Sequence, residues 1–218
     1  MRQNIWAYRQ GAFNRGNGWH ETVDLPRDNN LQHLIRRLDN LELRGQVSKL
    51  ALVFHGDAPG VVQTNPVMNE SSIFEDAEVC GPISSLRDYL QPSAQVILVA
   101  CSSAAGPIGS RFLCRLSTFW PGRTVIGFIT SGEFDPHYHT AGDIFDTGGS
   151  FVGGTVLQGL SRQEHIERRM TPSSRSAKWA KDGNITKYPI AETILNLERV
   201  QRIRGGSRQP RQRGAIIE

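Results

Sequence analysis

Two short apolar runs constrain this chain more than anything else in it. One ends Leu50-Ala51-Leu52-Val53-Phe54-His55-Gly56-Asp57, the other Val96-Ile97-Leu98-Val99-Ala100-Cys101-Ser102-Ser103. Each is about a strand long and lacks the polar alternation of a half-exposed strand, which is how a strand buried on both faces of a parallel sheet reads. Each breaks off at a reactive residue, His55 or Cys101. Sites in open parallel sheets form just beyond the carboxyl ends of the strands. If the two strands are neighbours, a thiol and an imidazole emerge side by side, the minimum equipment for a cysteine nucleophile.

The surrounding elements fit that frame. Ile5 to Arg9 reads as a first strand and Gly11 to Gly18 as a loop. Asp28 or Asn29 is placed to cap a helix carrying Leu31, Leu34, Ile35, Leu38 and Leu41 on one face, ending near Gly45. Residues 56–80 read as a long polar loop at the mouth of the site, touching ligand or simply crossing the surface. Ile83 to Leu90 reads as a helix ended by Pro92. Gly106 and Pro107 open another, with Ile108, Phe112, Leu113 and Leu116 inward. Thr124 to Thr130 is a further buried strand. Beyond Ser131 a loop rich in Gly, Asp and His runs to Ser150. Phe151 to Leu160 is apolar without a clear period, Glu164 to Met170 and Ile190 to Val200 have helical spacing, and Pro172 to Asn184 is polar with Trp179 as an anchor. Strand and helix alternate repeatedly, so a mostly parallel sheet is expected.

The totals exclude several classes. At 218 residues the chain suits one domain with an appendage. No run approaches the roughly 20 apolar residues of a membrane span, and no apolar leader follows Met1. Cys80, Cys101 and Cys114 are odd in number and widely spaced, which fits neither a disulfide framework nor a paired metal motif and points to a reducing cytoplasm. The net charge of +4 is concentrated at one end: residues 199–218 hold six arginines against one acid, and the rest holds 19 Lys and Arg against 20 Asp and Glu. The domain is therefore placed at 1–198, followed by a basic tail at 199–218.

Strand then His-Gly, followed by strand then Ala-Cys and a turn of small residues, resembles the caspase-like cysteine peptidases, the group of caspases, metacaspases, gingipains, separase and bacterial CHAT domains. The resemblance stands on Leu52 to Gly60 and Leu98 to Gly106 and covers about residues 45–132. It implies a three-layer αβα sandwich around a mostly parallel central sheet, and hydrolysis of peptide bonds through a thioester. It also implies an oxyanion hole from the N–H groups of Gly56 and Cys101, and a regulatory protein partner. Ala100 departs from the polar or acidic residue usual before the cysteine in caspases and metacaspases.

The residues argue the same chemistry independently. The thiolate is the reactive form of cysteine, and a strand end close to a helix start and a histidine is where it is favoured. His55 is suited to protonate the leaving amine, since imidazole titrates near working pH. The plainer reading keeps Cys101 as a small core hydrophobe and His55 as a carbonyl cap. Ser102, Ser131, Asp57, Asp143 and Asp146 are candidate substrate-binding residues. The three carboxylates would form an acidic pocket reading Lys or Arg, or are solvated loop groups.

Other signals compete. Asp146-Thr147-Gly148 resembles an aspartic-protease turn, but that chemistry needs two such turns in an all-β frame. The glycines at 148–149 are not followed by the Gly-Lys-Ser/Thr of a phosphate loop. His137 and His139, with Asp135 and Asp143, lack a third ligand at definite spacing, so no metal or other cofactor is expected. The Arg199–Arg213 tail is suited to phosphate contacts with nucleic acid, to solvation as a disordered end, or to being cleaved. The expectation is a cytoplasmic cysteine endopeptidase acting on protein or peptide substrates through Cys101 and His55, without membrane contact. The alternative is an inactive binding module of the same fold.

Overall fold

The computed structural model describes residues 2–9, 19–129 and 177–188. Seven strands, β1 (Gln3–Arg9), β2 (Glu21–Leu25), β3 (Val47–Val53), β4 (Leu90–Val99), β5 (Thr124–Phe128), β6 (Ala177–Lys181) and β7 (Asn184–Lys187), form one sheet. Its order is β2-β1-β3-β4-β5-β6-β7. The first five strands are parallel, and β6 and β7 are added antiparallel. Among the described residues four helices intervene: α1 (Asn30–Asn40), α2 (Ser72–Glu75), α3 (Ala77–Leu86) and α4 (Gly106–Thr118). The fold is α/β with a mostly parallel mixed sheet.

The connections from β2 through α1 to β3, from β3 through α3 to β4 and from β4 through α4 to β5 all step the same way across the sheet. Right-handed crossovers stepping in one direction lay their helices on one face. The core agrees: Leu31, Leu34 and Leu38 of α1, Ile83 and Leu86 of α3, and Phe112, Leu113 and Leu116 of α4 pack with Leu50, Leu52, Val96 and Leu98. The alternate residues of the same strands, Ala51, Val53, Ile97 and Val99, join Trp6, Ile126, Phe128 and Ala177 on the other face. No described helix contributes to that second cluster. Among the described residues the helices cover one face of the sheet; the segments expected at 11–18, 151–160, 164–170 and 190–200 lie outside the described residues.

Several local expectations are corrected. Neither Asp28 nor Asn29 caps α1 through its side chain: Asn29 takes a left-handed conformation (φ 47°), and Asp28 accepts instead from the Asn65 amide. Burial of three leucines, at roughly 1.5–3 kcal/mol each, outweighs a missing cap worth about 1 kcal/mol. The helix ends at Asn40 rather than near Gly45. Residues 56–80 are not wholly irregular, because α2 and the start of α3 lie within them. Asp76 caps α3 by accepting from the Glu78 N–H, and Pro82 sits inside the helix. Leu90, placed by its spacing on the helix, opens β4 instead, and Pro92 lies within that strand where the register with β3 shifts. The strand at 124 stops at Phe128. The stretch read as polar around Trp179 is a hairpin whose turn, Asp182-Gly183, has both residues at positive φ.

Candidate active site

β3 and β4 pair in parallel with Val53 opposite Val99, so His55 and Cys101 each stand two residues past a matched pair. The pairing continues beyond the strands, because the Phe54 N–H donates to the Val99 carbonyl at 3.1 Å. Next along, the two backbones touch. A methyl group on Gly56 would overlap the Cys101 carbonyl oxygen and lie 2.9 Å from the Cys101 nitrogen. Only a residue without Cβ permits that approach. Cys101 packs against the cluster that holds Val53 and Val99, on the sheet face without described helices, and strand alternation continued past Val53 would set His55 toward the same face. Cys101 is half-buried against that cluster, and His55 is exposed. Among the described residues the Gly56 N–H has no acceptor.

The turn after Cys101 is tightly held. Ser102 adopts a left-handed conformation (φ 54°), uncommon for a residue with a side chain, and its carbonyl accepts from the Ala105 N–H at 2.9 Å. Ser103 and Ala104 are fully buried. The Ala104 N–H donates to the Phe128 carbonyl at 2.9 Å, and the Phe128 N–H donates to Ser103 Oγ at 3.2 Å. Gly109, in the first turns of α4, is so close that a methyl there would overlap the Ala104 carbonyl carbon. α4 opens at Gly106 with Pro107 in its first turn and no side-chain cap.

The loop after His55 folds back on itself. The Gln63 N–H donates to the His55 carbonyl at 2.8 Å, and Gln63 Nε2 donates to the Asp57 carboxylate. Asp57 is thus engaged within its own loop while staying exposed. Gly60, at φ +73°, brings the loop against Ile108 and Phe112 of α4. Ile108, expected to point inward, is 50% exposed and flanks this loop rather than the core.

The structure therefore sets the backbone of Gly56 against that of Cys101, with His55 and Asp57 flanking the one and Ser102 following the other in the chain. Ser131, Asp143 and Asp146 lie outside the described residues, as do Asp135, His137, His139, the Asp146-Thr147-Gly148 turn and the 199–218 tail. No set of three potential metal ligands occurs among the described residues. None of the three cysteines forms a disulfide. Cys80 lies on α3 with its sulfur 3.9 Å from Ser84 Oγ, and Cys114 lies on α4, its thiol pKa raised chiefly by burial. Sequence reasoning missed Ser103 and Gln63. Nothing in the sequence distinguishes Ser103 from the adjacent Ser102, and nothing local marks Gln63, whose role depends on how the loop folds.

No described helix is long and apolar enough to cross a membrane. Compared with family models and with curated proteins, the chain matches none, so the site rests on its geometry.

Proposed function

We propose that this protein is a caspase-like cysteine endopeptidase, with Cys101 as nucleophile and His55 as general acid and base. The observation that carries the reading is the abutment of Gly56 on the Cys101 backbone, which supports a thiol and an imidazole on one rim and one face of the sheet. In the proposed reaction the Cys101 sulfur attacks the scissile carbonyl. The N–H groups of Gly56 and Cys101 stabilise the oxyanion, a contribution that typically reaches 10²–10³ in rate per donor. His55 gives its proton to the departing amine, leaving a thioester. It then takes a proton from water, which releases the carboxylic acid and restores the thiol. By the same resemblance, activity is switched by a regulatory protein partner.

The test is a thiol-directed peptide probe with an electrophilic terminus. Adduct formation on Cys101 that is lost in Cys101→Ala and falls at least tenfold in His55→Ala supports the peptidase. Equal adduct formation on Cys80 and Cys101 sinks it. Salt-sensitive nucleic-acid binding that disappears on removing residues 199–218, with no probe capture, would favour the binding module.

A further inference from the structure

We infer that Ser103 is the positioning residue for Cys101, fixing the nucleophile's turn to the end of β5 in place of a strand pair. The inference rests on the peptidase reading above and adds to it how the sulfur is held.

The regular pairing of β4 with β5 ends at Ile97 opposite Ile126. Beyond it the β4 chain leaves extended geometry at Ala100 and passes through the left-handed Ser102. Buried backbone groups are almost always paired, and at Phe128 the N–H donates to Ser103 Oγ at 3.2 Å while the carbonyl accepts from the Ala104 N–H at 2.9 Å. A side-chain oxygen thus stands where a neighbouring strand's carbonyl would be. Ser103 is fully buried, and its surroundings are built to its size. A methyl on Gly127 would come within 3.0 Å of Ser103 Oγ and 3.1 Å of Ala104 Cβ. On the other flank Gly56 presses on the Cys101 carbonyl. The turn is held from both sides, and on the β5 side the Ser103 side chain takes part in the hold. A nucleophile must be kept within about half an ångström of its working place, so a tether of this kind shows itself in rate.

The experiment is site-resolved alkylation by iodoacetamide across pH 5–10, read by mass spectrometry on the full chain, with Cys80 as internal reference. In Ser103→Ala the Cys101 rate is expected to fall at least tenfold near neutral pH, with a displaced pH profile. Ser103→Cys, which keeps a weak acceptor of similar size, is expected to fall between Ser103→Ala and the unaltered chain. Gly127→Ala, which crowds the serine without removing it, is expected to lower the rate as well. Ile83→Val, a destabilising change on the helical face, should leave the profile unmoved and so separates positioning from loss of fold. A wild-type Cys101 that outpaces Cys80 but is unchanged by Ser103→Ala overturns the positioning role alone. A wild-type Cys101 no faster than Cys80 overturns the peptidase reading, and the positioning role with it.

Discussion

Gly56 has no room for a side chain, and the obstacle is backbone rather than a movable group. Gly56→Ala must push the segment after β3 away from the segment after β4. Overpacking of this kind costs about 1–3 kcal/mol, and the same displacement separates His55 from Cys101. The denaturation midpoint should fall accordingly, with Cys101 alkylation slowed in the surviving folded fraction. An unchanged midpoint would mean that the backbones are further apart than described. That the segment after β3 meets the segment after β4 was legible in the sequence, because two buried apolar runs that each break off at a reactive residue read as neighbours in a parallel sheet. The close backbone contact at Gly56 was not. What Asp57 does was not legible. Its carboxylate is taken by Gln63, six residues away in a loop whose path no periodicity announces.

The elements were legible where burial dictated them and illegible where turns did. α1 ends in a reciprocal pair of bonds: the Leu43 N–H donates to the Leu38 carbonyl at 3.1 Å, and the Glu42 N–H to the Asp39 carbonyl at 2.9 Å. That geometry needs a left-handed residue between them, a position usually held by glycine. Here it is Glu42 at φ +54°, and Gly45, the residue that looked like the terminator, serves a later turn. Glu42→Gly should relieve the strain and raise stability by about 0.5–1 kcal/mol, read from the denaturation midpoint. A fall would show that the carboxylate has a role of its own. α3 was misplaced for a related reason. Gly81 and Pro82 look like breakers, yet α3 continues through both, because Val79, Pro82, Ile83 and Leu86 are all buried. Asp182-Gly183 is a strong hairpin signal, but the flanking strands are short and rich in lysine, which gives the stretch the polar look of a loop. The hairpin is fixed from outside: Asp182 accepts from the Gly122 N–H at 2.7 Å, and the Gly183 N–H donates to Ser117 Oγ at 2.9 Å.

Across the whole molecule the two edges of the sheet do different work. The rim at the carboxyl ends carries Cys101 and His55. Near the amino end of β4, Tyr89 is buried, and Arg44 bridges Asp39 and Asp88 beside it. Burial, above all, and a hydrogen bond to Asp39 raise the Tyr89 phenol from its ordinary 10 to about 12. The folded chain favours the neutral phenol, so this contribution is complete below pH 10 and disappears as pH rises through about 12. Stability should drop between those limits in the native chain. In Tyr89→Phe the decline should be shallower, although that variant starts lower at neutral pH. Parallel curves for the two proteins would refute the assignment. Phe128 and Ala177 are direct partners on β5 and β6, on the same rim as the reactive sulfur. The Phe128 backbone is also what the Ser103-Ala104 turn grips, so a slip in the β5–β6 register would be transmitted directly to the seat of the nucleophile.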